Sequence, residues 1–199
     1  VPRRRGRPRN YDPHAAMRHA RDTFWRAGYA GTSLENLSAG MAMNRPSIYA
    51  AFGDKRSLYL RAISEYADMS CDWLATALAR PRPLRDGLGA VYRYARDFYL
   101  AGDESPRGCF LLGTAVTEAC QDAEVRAIVE ATLASFTATF AERFERAERE
   151  GELSPHPPDA LAHIATATLN TLSVRARTGA PTAVLDALIG ATVDVICVD

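Results

Sequence analysis

The sequence predicts an all-α chain of about nine helices, a short N-terminal helix-turn-helix unit followed by a larger helical body. Three observations lead there. Nearly every segment repeats its apolar residues at helical spacing, and none alternates like a strand. Gly and Pro punctuate those segments at their ends. Charge is split along the chain, although the formal net charge is zero. Residues 1–61 hold 12 Arg or Lys against 4 Asp or Glu, and residues 62–199 hold 12 against 20. A basic end beside an acidic body is the pattern of a chain that meets a polyanion with one end.

The first helix is expected from about Asp12 to Ala27, with Ala16, Ala20, Phe24 and Ala27 inward. Gly28 ends it, because glycine takes a left-handed cap cheaply. Ser33 caps the second helix, whose Leu34 and Leu37 face inward. The third starts near Asn44 or Arg45, with Pro46 in its first turn, where a missing N–H is harmless. Gly53 stops it, and Asp54 caps a fourth over about Lys55–Ala79.

Pro81 and Pro83 separate that helix from a fifth, marked by Leu84, Leu88, Val91, Ala95 and Phe98. A sixth is expected from about Cys109 to Cys120. The seventh carries Val125, Val129, Leu133, Phe136, Phe140 and Phe144 and closes at Gly151. After the loop Ser154–Pro158, two more helices fill about Asp159–Thr178 and Pro181–Cys197. The expected organisation is a basic arm over 1–10, a helix-turn-helix domain over 11–54 and a helical body over 55–199.

The spacing in the first quarter carries a mechanism. Leu34 and Leu37 on helix two, with Ile48 and Phe52 on helix three, would lock both helices onto helix one. The opposite face of helix three then shows Arg45, Ser47 and Tyr49. A helix fits the DNA major groove, where its N-terminal residues reach base edges and phosphates. Arg45 suits a bidentate contact to guanine, and Ser47 and Tyr49 can donate to phosphates. The starts of helices two and four, near Thr32, Ser33 and Lys55, and of helix three at Asn44 offer further phosphate contacts. Arg5 and Arg7 of the arm suit a minor groove.

This segment resembles the DNA-binding domain of the TetR family of one-component transcriptional regulators. Phe24, Gly28, Tyr29, Thr32, Ser33, Leu37, Ser47, Ile48, Tyr49, Phe52, Gly53, Lys55 and Leu58 carry the resemblance, over about residues 10–60. One position departs: the family has Gly in the turn between helices two and three, where this chain has Ala42. A left-handed Ala costs roughly 1–2 kcal/mol, so an altered turn is expected. The resemblance implies a body that binds a ligand and dimerises through its last two helices on a palindromic double-stranded operator. Those helices are rich in small residues, among them Ala162, Ala165, Ala187, Gly190 and Ala191.

A sensory pocket is expected among helices four to eight, lined by Tyr66, Ser70, Tyr94, Phe98, Cys109, Phe110, Phe136, Phe140 and Asn170. Aromatic walls with few polar groups favour a small, largely apolar effector. The expected function is a homodimeric repressor released by that effector. Cys109 opens helix six, where a helix N-terminus lowers a thiol pKa, so a redox or electrophile response is an alternative. Activation in place of repression is another.

Other classes find less support. GxSxG, HExxH, GxxxxGK and CxxC motifs are absent, and Gly87-Leu88-Gly89 follows no strand. His14 and His19, five apart, point about 140° apart on a helix and cannot share a metal. No cofactor or catalysis is expected. A non-specific architectural DNA binder would need a basic body. With no leader-like segment and no run of about 18 apolar residues, the expected location is the cytoplasm, with Cys71, Cys109, Cys120 and Cys197 as free thiols.

Overall fold

A computed structural model describes residues 12–102 and 105–198. They form two compact units, with the boundary between Ala62 and Ile63. The first unit begins with α1 (Pro13–Gly31), α2 (Leu34–Met41) and α3 (Arg45–Phe52). Helix α4 (Lys55–Ala79) starts in the first unit and continues in the second. The second unit adds α5 (Leu84–Leu100), α6 (Val116–Ala119), α7 (Ala123–Glu150), α8 (Pro158–Arg177) and α9 (Thr182–Ile196).

The starts of α1 to α4 are each set by a side chain that satisfies an otherwise unpaired N–H. Asp12 accepts from His14 N–H at 2.9 Å, with Pro13 beside it in the first turn. Ser33 and Asn36 form a reciprocal capping box on α2. Asn44 accepts from Ser47 N–H at 2.9 Å. Asp54 accepts from Ser57 N–H at 2.7 Å, and that bond holds its carboxyl below the usual range. Gly28, at φ 72°, breaks α1 as the sequence suggests.

The core of the first unit contains Ala16, Ala20, Phe24, Leu37, Ile48 and Phe52. Phe24 meets Tyr59 edge-on at 5.0 Å, and Tyr59 meets Tyr29 at 4.9 Å. Two expectations need correcting. Ala27 is exposed, because the inward face of α1 turns to Met17 and Trp25, both buried. Leu34 is only half-buried.

In the body, Tyr92, Phe140 and Phe144 stack in sequence at 6.3 and 5.8 Å. Threonine pairs tie the helices laterally: Thr137 to Thr166 at 3.0 Å, and Thr168 to Thr192 at 3.1 Å. The sixth helix differs from expectation. Leu111–Ala115 is a π-helical turn, and regular α-helix covers only Val116–Ala119. Gly108 (φ 63°) precedes it, and a Cβ there would lie 3.0 Å from the carbonyl oxygen of Ser173. That close approach of α8 explains the glycine. Among the described residues the one β pairing is an isolated bridge between Leu153 and Cys197.

The α2–α3 turn keeps its left-handed residue without glycine. Ala42 sits at φ 53°, ψ 37°, the one non-glycine residue with positive φ among those described. Met43 N–H donates to Ser38 O at 3.1 Å and Ala42 N–H to Ala39 O at 3.3 Å. Ser38 Oγ donates to Met43 O, and Met41 and Met43 are buried on either side. These contacts hold the alanine in a region it disfavours.

Ala42→Gly relieves strain of roughly 1–2 kcal/mol while adding roughly 0.5–1 kcal/mol of unfolded-state entropy. The expected result is a net stabilisation of roughly 0.5–1 kcal/mol in urea unfolding of the first unit. A destabilised variant would contradict this account of the turn.

Candidate nucleic-acid interface

The outer face of α3 follows from its inner one. Ile48 is fully buried and Phe52 nearly so, which turns Arg45 and Tyr49 to solvent. Tyr49 is 49% exposed, far beyond what a core aromatic would show. Ser47 is half-buried; its backbone N–H is capped by Asn44, itself exposed. Arg45 is exposed and pairs with Glu35 on α2. An exposed pair of this kind contributes little stability and exchanges readily for another anion.

Three other candidates have roles inside the fold. Thr32 is buried, and its hydroxyl donates to Gly28 O at 2.6 Å. Ser33 is exposed, but its hydroxyl donates to Asn36 Oδ1 at 2.8 Å within the capping box. Lys55 Nζ donates to the carbonyls of Tyr29 and Thr32, both at 2.9 Å, and lies 4.3 Å from the centre of the Tyr29 ring. The sequence suggests a phosphate contact for this lysine; in the fold it clamps the chain entering α2 to the start of α4. Arg5 and Arg7 lie outside the described residues.

The exposed face is therefore narrower than the sequence suggests: Arg45 and Tyr49, flanked by Asn44 and Ser47. It offers a planar cationic fork, a phenol and small polar groups on one short helix. That chemistry suits base edges and phosphate oxygens together.

Neither of the two hollows described in the body brings the expected effector residues together. Tyr66, Cys109, Phe110 and Phe140 are buried among close neighbours, with Tyr66 and Phe110 edge-on at 5.6 Å. Ser70, Phe98 and Phe136 are half-buried. Tyr94 is 55% exposed, a correction: it stacks on Trp73 at 4.9 Å on the outside of the body. Asn170 alone of the set lines an open groove of about 570 Å³ between α7 and α8, beside Leu133, Thr137, His163 and Thr166. Sequence reasoning missed this groove because small residues line it, and at helical spacing Ala and Thr read as ordinary packing.

Cys109 also departs from expectation. Its backbone N–H donates to Ser173 Oγ at 2.8 Å, and Tyr66 OH lies 3.5 Å from its sulfur. Burial pushes the thiol pKa up, outweighing the nearby backbone N–H groups that would lower it. Among the described residues no group of three or more His, Cys, Asp or Glu could hold a metal ion. No described helix is long and apolar enough to cross a membrane.

Comparison with known proteins agrees with this geometry. Residues 16–62 match the family described as "Bacterial regulatory proteins, tetR family". Residues 79–191 match "Tetracyclin repressor-like, C-terminal domain". The HTH-type transcriptional repressor ComR of Escherichia coli is 25% identical over 194 residues, covering 96% of this chain and 92% of ComR. The repressor BdcR of the same organism is 33% identical over 107 residues, 54% of each chain. Among solved structures, the TetR family regulator CifR, a cysteine mutant complexed with 26-bp double-strand operator DNA, is 31% identical with a TM-score of 0.77. That match covers 94% of this chain and 98% of CifR. With both of its units matched, the second over more than half its length, the chain belongs to the TetR family of bacterial transcriptional regulators.

Proposed function

We propose that this regulator is a homodimeric repressor that reads a palindromic operator with α3 and leaves it when a small, largely apolar effector binds the body. The outward presentation of Arg45 and Tyr49 above the buried Ile48–Phe52 row carries the DNA part of the proposal. Arg45 serves as the base-reading residue, with Tyr49, Ser47 and Asn44 on neighbouring phosphates. Before it reaches a base, Arg45 exchanges Glu35 for DNA. The operator complex of CifR supports this use of the fold.

Two-fold symmetry doubles the few base pairs that one short helix can read. Ile164 and Val174 on α8, with Val184 and Val195 on α9, are large apolar side chains exposed in the single chain. They support a second copy covering these helices. For the effector, the groove between α7 and α8 supports a ligand of modest size better than the packed aromatic interior does. The proposed release is a population shift. The effector favours the dimer whose two α3 helices do not match successive major grooves, and by linkage DNA weakens effector binding equally.

Fluorescence anisotropy with a duplex from upstream of the protein's own gene, against scrambled DNA, tests this reading. The expected preference is roughly 10³-fold or more, and it falls on adding an effector. A preference near one on every upstream duplex tried would count against specific reading.

The thiol alternative loses its chemical basis where burial keeps Cys109 protonated at neutral pH. Iodoacetamide on the folded protein at pH 7.5 is expected to label exposed Cys120 and to reach Cys109 only after denaturation. Peptide mass spectrometry showing Cys109 modified as fast as Cys120 would restore the thiol switch.

A further inference from the structure

Apart from these surfaces, the body holds a second hollow of about 400 Å³, formed by the α4–α5 loop and the last turns of α7. Arg80, Arg82, Arg143 and Arg146 line it together with Glu150 and Glu152. Four arginines and two glutamates thus line one hollow, and Arg143 Nη2 also donates to Arg82 O at 3.2 Å. Both carboxylates lie against the same arginine. Glu152 Oε2 accepts from Arg143 Nη2 at 3.0 Å and from Leu84 N–H at 2.9 Å. Glu150 Oε2 stands 3.7 Å from Arg143 Nη1, too far for a hydrogen bond. Arg146 meanwhile donates Nη2 to Leu78 O at 3.0 Å.

Arg143 is the decisive residue. Its side chain is 4% exposed, yet Nη1 has no hydrogen-bond partner. A buried, unsatisfied guanidinium N–H is costly, and native structures rarely leave one. A planar guanidinium matches an oxyanion in a two-bond fork, and further arginines nearby strengthen that match. The geometry points to an anion site here, for a compact oxyanion, the phosphate or carboxylate group of a small molecule. The site is separate from α3 and independent of the operator reading. It takes the anion on Arg143, with Arg80 and Arg82 closing over it from the loop.

The test is the thermal midpoint of the full-length protein, followed by circular dichroism in inorganic phosphate, malonate or chloride at equal ionic strength. Phosphate or malonate is expected to raise the midpoint saturably above chloride, and the stronger of the two names the head group. Because Arg143→Met could fail to fold, the variant is R80Q/R82Q. It is expected to match the wild-type midpoint in chloride and to need at least fivefold more anion for half the shift. No shift beyond chloride in either anion would overturn the proposal. So would a shift that survives unchanged in R80Q/R82Q, since the anion would then sit elsewhere, for example on the basic first unit.

Discussion

The burial of Ile48 and Phe52 in the core that also holds Phe24 and Leu37 sets what the first unit can do, because a helix has only one orientation once its inner row is chosen. With that row inward, Arg45 and Tyr49 face out. The orientation also depends on the turn that delivers α3. Ala42 holds a left-handed conformation that costs an alanine free energy, and the buried methionines around it offset that cost. Lys55 adds a second brace, joining the carbonyls of Tyr29 and Thr32 to the first residue of α4. The surface proposed to meet DNA therefore rests on a hydrophobic row, a strained turn and a half-buried cation.

Much of this was legible in the sequence, because local rules govern it. Caps at Ser33 and Asp54, and stops at Gly28, Gly53 and Gly151, depend on neighbouring residues only. The helix count and most boundaries follow from them. The role of Lys55 was not legible. A lysine beside a basic segment looks like a phosphate contact; only the fold shows that two carbonyls from far upstream converge on it. The same holds for Thr32, whose hydroxyl turns back to Gly28.

In the body the limits are tertiary. Aromatic residues at helical spacing mark either a pocket or a core, and Tyr66, Phe110 and Phe140 prove to be core while Tyr94 points outward. No local pattern encodes the π turn at Leu111–Ala115 or the close approach of α8 to Gly108. At Cys109 the helix terminus favours the thiolate, but burial acts the other way and is the larger effect. Grooves lined by Ala and Thr, and a hollow lined by Arg from two distant segments, arise only when helices are laid side by side.

The central claim is that Arg45 reads bases whereas Lys55 holds the fold. Operator and scrambled-DNA affinities of Arg45→Ala and Lys55→Met, taken with the urea stability of each variant, test it most directly. The account predicts that Arg45→Ala loses roughly 1–3 kcal/mol of operator discrimination at near wild-type stability. Lys55→Met should lose roughly 1–2 kcal/mol of stability and, while folded, keep its discrimination. Discrimination that survives Arg45→Ala, or disappears in folded Lys55→Met, would contradict it.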